Sequence, residues 1–94
     1  MKTNIEYLQR RLIVHSFIYY ELNSNIWTDA QYDELALLIE SKKDTKEYKA
    51  SKFYPIFKDW DSSSGYPLIR KDLSDYYFYY RALGMRLLNE VGKR

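Results

Sequence analysis

The chain has a helix–loop–helix pattern at residues 19–35, whose sequence is YYELNSNIWTDAQYDEL. The segment Asn23-Ser24-Asn25 ends the first helix, because short polar side chains compete for backbone hydrogen bonds. Thr28 and Gln31 then stand at capping-box spacing, and Asp29 lies in the first turn, where the helix dipole favours a carboxylate. These signals predict a helical hairpin, and the rest of the chain is interpreted from it.

Outward from this loop, apolar residues recur at helical spacing in both directions. Thr3 or Asn4 caps a first helix that runs to about Leu22, and the second helix ends near Ser41 or Lys42. The first helix has a wide apolar side, which predicts contact with two neighbouring elements. On the first helix, the residues expected to be buried are Ile5, Leu8, Leu12, His15, Tyr19 and Leu22, flanked by Val14, Phe17 and Ile18. On the second helix, they are Tyr32, Leu35, Leu38 and Ile39.

Beyond the hairpin, the sequence predicts a short third helix followed by a loop. Thr45 caps this helix, which runs to about Phe53, because Pro55 disfavours helical geometry at Tyr54. Residues 61–67 are rich in serine and include a glycine and a proline, which indicates a surface loop.

The last helix begins at Leu73 or Ser74 and ends at Val91, before Gly92. Gly84 allows a neighbouring helix to approach closely. The predicted packing side consists of Leu73, Tyr77, Tyr80, Gly84, Leu87 and Val91, whereas Tyr76, Phe78 and Tyr79 fall outside it. The sequence has no strand-like alternation, so we predict an all-α fold with three long or medium helices and a short one.

Length and composition limit the possible classes of protein. The 94 residues include no cysteine and one histidine, so a disulfide scaffold and a Cys-ligated metal site are excluded, and a His-rich metal centre is not expected. Neither a signal peptide nor a membrane-spanning stretch is evident, and we expect a cytoplasmic protein without membrane contact. We expect one domain over residues 1–94, with the hairpin at 5–41, a basic and aromatic segment at 42–60, the loop at 61–67 and the last helix at 73–91.

The sequence contains no recognisable catalytic motif. A glycine-rich phosphate loop and a nucleophile elbow are both missing, and we predict that the chain is not an enzyme. Asp29 and Asp33 share one side of the second helix, where two like charges cost about 0.2–0.5 kcal/mol unless a ligand or partner uses them. A solvated helix side is the alternative interpretation. His15, on an apolar side, is expected to have a structural role.

The pair Tyr19-Tyr20, the eight-residue gap after it, and the sequence Asp29-Ala30-Gln31-Tyr32-Asp33 resemble the N-terminal helical domain, domain Ia, of bacterial NAD-dependent DNA ligases. In that family the domain closes over the nicotinamide mononucleotide half of NAD. The resemblance implies that Tyr19 and Tyr32 stack on or flank the nicotinamide and that Tyr20 takes the second aromatic place. It also implies that Asp29 and Asp33 bind ribose hydroxyls or the amide.

This resemblance covers only about residues 5–40, and nothing after Ser41 is similar to the ligase. The lysine nucleophile motif Lys-x-Asp-Gly is absent, so ligase activity is not expected. Packing within the hairpin is the alternative role for Tyr19, Tyr32 and Leu35, because helical periodicity also makes them core positions.

Two further features indicate partners. Six lysines lie among aromatic residues between Lys42 and Lys58, and Lys42, Lys46, Lys49 and Lys52 are expected to share a helix side. A solvated lysine side is favoured there over a weak nucleic-acid site. The run from Tyr76 to Tyr80 presents more rings than a small core can bury, so Tyr76 and Tyr79 are predicted to contact a protein partner or a second copy of the chain.

The leading hypothesis is a small, non-catalytic interaction or accessory protein on a ligase-Ia-like scaffold. By analogy it is a phage or prophage protein that acts on a host protein, for example as an inhibitor of a defence nuclease such as a CRISPR effector, or on another host enzyme. The alternative is a stand-alone module that binds nicotinamide mononucleotide or NAD, although no cofactor is required. Weak nucleic-acid binding through the Lys42–Lys58 segment is the third hypothesis.

Overall fold

The computed structural model describes residues 4–92, and every regular element among them is helical. The helices are α1 (Ile5–Tyr20), α2 (Asp29–Glu40), α3 (Lys46–Ala50), α4 (Tyr54–Phe57) and α5 (Ser74–Gly92), with a 3₁₀ turn at Tyr66–Leu68. Strands are absent from the described residues. The predicted all-α class, including a long last helix, is therefore confirmed.

Helix α1 is the central element, and it packs against α5, α2, α3 and the 3₁₀ turn. The wide apolar side predicted two neighbours, and the structure has four, because two short elements also pack against it. Asn4 caps the helix by accepting hydrogen bonds from the N–H groups of Glu6 and Tyr7, at 2.9 and 3.4 Å. Thr3, the other candidate cap, lies outside the described residues.

Helix α1 ends at Tyr20, two residues earlier than expected. Asn23 adopts a φ of 49°, in the left-handed region that asparagine tolerates better than most residues. The Ser24 N–H donates to the Ile18 carbonyl at 3.0 Å, which satisfies one of the free carbonyls at the helix end. The predicted burial of Tyr19 is wrong, because this side chain is 51% exposed in the last turn of the helix.

Helix α2 begins with the predicted capping box. The Gln31 N–H donates to Thr28 Oγ1 at 3.2 Å, and the Thr28 N–H donates to Gln31 Oε1 at 2.9 Å. Among the described helices α2 contacts only α1, so only a narrow side, with Ala36 and Ile39, is buried. The predicted burial of Leu38 is therefore wrong, since this side chain is 42% exposed.

The segment after α2 contains two short helices where one was predicted. Thr45 caps α3 as expected, but α3 ends at Ala50 and not at Phe53. Tyr54 begins α4, contrary to the expectation that Pro55 would keep it out of a helix. The physical reason is that the first turn of a helix accepts proline, because an N–H group there has no partner within the helix.

The core lies where α1 meets the short helices, the 3₁₀ turn and α5. Trp60 and Tyr48 are its largest fully buried side chains. Tyr48 Oη donates to the Phe57 carbonyl at 2.9 Å, and Trp60 Nε1 donates to the Ser64 carbonyl at 3.0 Å. The hydrogen bond from Trp60 attaches residues 61–67 to the core, although this segment was expected to be a surface loop. That expectation is wrong at Gly65, which is buried.

Helix α5 has the predicted start, and its close approach to α1 depends on Gly84. A Cβ atom there would lie 3.2 Å from Ile18 Cγ1 and 3.3 Å from Leu22 Cδ1, so the two helices are in tight contact. Tyr80 is buried as expected, whereas Leu73 and Val91 at the two ends of the helix are exposed because no neighbour covers these turns. Among residues 4–92, no helix has the length and apolar character needed to span a bilayer.

Tyr76 requires a correction, because the sequence placed it on the outer side of α5. The side chain is half-buried, and its hydroxyl donates to the Leu68 carbonyl at 2.8 Å. Burial raises the pKa of Tyr76 well above its ordinary value. The 3₁₀ turn, which precedes α5 in the chain, and Phe17 of α1, whose ring centroid lies 6.0 Å from that of Tyr76, cover this residue, so Tyr76 belongs to the internal packing of the protein.

Candidate ligand-binding cleft

A cleft of about 240 Å³ opens between the end of α1, the start of α2 and the segment 62–65. It brings together all five residues that the sequence indicated for nicotinamide binding. The lining side chains used below are Tyr19, Tyr20, Asp29, Tyr32 and Asp33, together with His15, Trp27, Thr28, Ser64 and Gly65.

The floor of the cleft is a fixed contact between Tyr32 and Ser16. The Ser16 hydroxyl donates to the Leu12 carbonyl at 2.7 Å, and the Ser16 and Tyr32 hydroxyl oxygens are also 2.7 Å apart. Because a serine hydroxyl has one proton, Tyr32 is the donor in the second bond. Burial raises the pKa of Tyr32 to about 12, and the hydrogen bond to Ser16 holds the ring in position.

Gly65 closes the cleft on the side of the loop. A Cβ atom at this position would lie 1.8 Å from Tyr32 Oη and 2.8 Å from Ser16 Oγ, so only glycine permits this contact without displacement. Its φ of −87° is accessible to any residue, and the requirement for glycine is therefore steric. The sequence alone did not identify this residue as part of a site.

Tyrosine rings form the rim of the cleft. Tyr19 and Tyr20 meet edge to face with ring centroids 4.8 Å apart, and Tyr20 meets Tyr66 in the same way at 5.6 Å. Tyr20 Oη also lies 3.5 Å from Ser64 Oγ. Tyr19 and Tyr20 remain 51% and 36% exposed, which leaves ring surface free to contact a ligand.

His15 and Trp27 form the opposite wall as a stacked pair. Their ring centroids are 3.4 Å apart and the planes differ by 9°. Burial, followed by the nearby Arg11 guanidinium, lowers the pKa of His15 to about 4, so the imidazole is neutral at pH 7. The predicted packing role of His15 agrees with this stack. The sequence did not predict that His15 would also line the cleft. Within residues 4–92 the His15 ring makes no hydrogen bond.

Trp27 was not among the residues expected in a site. It directly precedes the Thr28 cap, a position at which an apolar side chain commonly packs against the start of the helix. The position before the cap predicts that Trp27 packs against the protein, but it does not show that His15 is the ring on which it stacks. The 23–28 loop, which places Trp27 against α1, decides that contact.

The charge of the cleft is negative. Asp29 and Asp33 are both exposed, one helical turn apart, and no lysine or arginine is among the lining residues. Two carboxylates beside aromatic faces favour a cationic or hydrogen-bond-donating ligand and disfavour a phosphate group. Within residues 4–92, no three His, Asp or Glu side chains are grouped so that they could hold a metal ion.

The residues predicted to contact a partner lie outside this cleft. Tyr79 is 54% exposed on α5, and Lys46, Lys49 and Lys52 are all exposed. The expected lysine side of one helix is wrong for Lys42 and Lys52, because α3 spans only Lys46–Ala50. The Lys52 N–H donates to Glu6 Oε2 at 2.8 Å, which ties this residue to α1.

Comparison with known proteins identified no significant similarity. The chain matches no family model, and neither the curated proteins nor the solved structures include a significant match.

Proposed function

We propose that the chain is a non-catalytic binding module whose cleft takes the nicotinamide riboside part of a nicotinamide nucleotide. The observation that carries the proposal is that Tyr19, Tyr20, Asp29, Tyr32 and Asp33 line one cleft that has no lysine or arginine in its lining. The resemblance of the hairpin to domain Ia of NAD-dependent DNA ligases supports the same ligand class.

The chemistry of the lining suits this ligand. An oxidised nicotinamide ring is flat and cationic, so it is attracted by aromatic faces and by carboxylates. The ribose diol donates hydrogen bonds that Asp29 and Asp33 accept. The volume of about 240 Å³ lies below the ~300–1,000 Å³ of pockets that bury drug-sized ligands. It therefore accommodates one ring and its sugar, while the rest of a dinucleotide stays outside.

The contribution of this chain is binding and orientation, without a chemical step. Tyr32 is held by its hydrogen bond to Ser16, and Trp27 by its stack on His15, so two aromatic walls are fixed before a ligand enters. Such preorganisation improves affinity, because fewer side chains are immobilised on binding.

Titration calorimetry with nicotinamide mononucleotide tests the proposal. Asp33→Asn removes one carboxylate from the cleft while keeping its size, and we expect it to weaken binding by about fivefold to twentyfold. Glu34→Gln removes the same charge from the neighbouring residue, which does not line the cleft, and it is expected to leave the affinity within about twofold. Equal effects of the two substitutions would mean that only the overall charge matters, and the site assignment would be wrong.

A second candidate function is that of an interaction factor, and the outer side of α5 favours it. Phe78 and Met85 lie seven residues apart on one helix side, with Tyr79 beside them, and their side chains are 67%, 49% and 54% exposed. Exposed aromatic and methionine side chains are enriched at protein interfaces. The partner would be either a host enzyme, as expected from the sequence, or a second copy of the chain.

Sedimentation velocity and a pull-down with the wild type and with the double variant Phe78→Ser and Tyr79→Ser test this second candidate. A dimer, or a stoichiometric partner, that is lost in the variant supports it. Wild-type protein that remains monomeric and recovers no partner at a stoichiometric level contradicts it.

A further inference from the structure

A second cavity, of about 390 Å³, lies on the other side of the wall formed by His15 and Trp27. It is bounded by α1, by the second half of α5 and by the loop that leads into α2. The side chains relevant here are Tyr7, Arg10, Arg11, Val14, Trp27 and Leu87. The two cavities share this wall, but the charge of their linings is opposite.

Two arginines, Arg10 and Arg11, line the second cavity, and no acidic residue does. The Arg11 guanidinium carbon lies 5.6 Å from the centroid of the Tyr7 ring and 5.0 Å from that of Trp27. These cation–π contacts hold the group beside the cavity. Within residues 4–92, neither Arg10 nor Arg11 forms a salt bridge, so their N–H donors are available to an acceptor.

Most of the remaining lining is apolar or aromatic. Val14 and Leu87 are half-buried on α1 and α5, and Trp27 lies between them and the cleft as part of the shared wall. An apolar body adjacent to two guanidinium groups is complementary to a molecule that has a flat apolar part and an anionic end. Arginine is well suited to this task, because its planar fork binds carboxylate and phosphate oxygens in pairs.

We infer that this cavity binds a small aromatic anion, an aryl phosphate or an aryl carboxylate, independently of the ligand in the cleft. The ring of this ligand packs against Trp27, Val14 and Leu87, and its anionic oxygens accept hydrogen bonds from Arg10 and Arg11. This assignment goes beyond the proposed nucleotide binding, because the cleft contributes carboxylates where this site contributes guanidinium groups.

The test is a nuclear magnetic resonance titration of the full chain with phenyl phosphate, followed through the Trp27 indole and backbone signals. Binding in the millimolar range or tighter is expected, and phenol and inorganic phosphate, which each lack half of the ligand, should bind at least about tenfold more weakly. Arg11→Gln and Arg10→Gln are each expected to weaken binding by about tenfold. Arg10→Gln keeps the Arg11 contacts with Tyr7 and Trp27, so it gives a test that does not disturb the wall.

Two control variants locate the binding site. Arg86→Gln removes an exposed positive charge from α5 outside the cavity, and Asp33→Asn alters the cleft on the other side of the wall. Both should retain the wild-type affinity for phenyl phosphate within about twofold. The inference is overturned if phenyl phosphate does not bind at millimolar concentration, if phenol binds equally well, or if Arg10→Gln and Arg86→Gln have the same effect. Signal changes confined to Tyr19 and Tyr32 would also overturn it, because they would place the ligand in the cleft.

Discussion

Replacing Gly65 by alanine would place a methyl group against the hydrogen bond that positions Tyr32. The added Cβ would lie 1.8 Å from Tyr32 Oη and 2.8 Å from Ser16 Oγ, so the Tyr32 ring or the 62–65 segment must move. Alanine also reduces the conformational freedom of the unfolded chain, which stabilises a protein by about 0.4–1 kcal/mol where the native φ is compatible. The φ of Gly65 is −87°, so this gain applies here.

The steric effect should exceed the entropic gain. Loss of the Tyr32–Ser16 hydrogen bond costs about 0.5–1.5 kcal/mol, and forcing a group into a packed site costs about 1–3 kcal/mol more. After the entropic gain is subtracted, we expect Gly65→Ala to lower the free energy of unfolding by about 0.5–4 kcal/mol. Urea denaturation followed by tryptophan fluorescence measures this change.

Tyr32→Phe provides the matched background, because it removes the oxygen atom that the new methyl group would meet. In that background Gly65→Ala should cost at least about 1 kcal/mol less than in the wild type, which is a typical coupling energy for residues in contact. If the substitution changes the stability of the wild type by less than about 0.5 kcal/mol, or costs the same in both backgrounds, Gly65 does not pack on Tyr32 in the way described.

Two further predictions concern single side chains. The folded-state pKa of His15 is lowered to about 4 from 6.5, so the unfolded chain binds the proton more readily and the stability of the protein should fall as the pH drops from about 6.5 to about 4. His15→Gln should flatten that part of the pH profile, and an unchanged profile would contradict the assignment. Tyr76→Phe removes the hydrogen bond to the Leu68 carbonyl and should cost about 1 kcal/mol, whereas Tyr79→Phe should change stability by less than about 0.5 kcal/mol. Equal losses of stability for the two variants in thermal denaturation would show that Tyr76 is not held by this hydrogen bond.

The starts of α1, α2 and α3 could be predicted because their signals are local. Asn4, Thr28 and Thr45 each accept a hydrogen bond from an N–H group two or three residues further along the chain. Such contacts depend on neighbouring residues alone, and the sequence contains all the information that they require.

Burial was harder to predict, because it depends on elements that are distant in the sequence. Periodicity placed Tyr19 and Leu38 on apolar sides, but it does not show whether another element covers those turns. The opposite error occurred at Tyr76, where Phe17 of α1 and the 3₁₀ turn at Tyr66–Leu68 supply the cover. In each case the burial depends on whether another element of the fold covers the helix at that turn, which the periodicity of the helix itself does not show.

The candidate site was likewise predictable only where its residues come from neighbouring parts of the chain. The hairpin spacing brought Tyr19, Tyr32 and the two aspartates into one cleft, since these residues come from adjoining elements. Ser64 and Gly65 reach the cleft from more than 30 residues further along the chain, and no local signal could place them there. The backbone conformation of Gly65 is ordinary, so its steric role becomes evident only from its neighbours.

The central claim is that the cleft recognises a cationic nicotinamide ring, and the most direct test compares two forms of one ligand. Oxidised nicotinamide mononucleotide has a positively charged ring, whereas the reduced form has nearly the same shape and a neutral ring. Titration calorimetry at moderate salt should show the oxidised form binding at least about tenfold more tightly, because cation–π contacts and two carboxylates act on its charge. Equal affinities for the two forms, or no binding of the oxidised form at millimolar concentration, would contradict the claim.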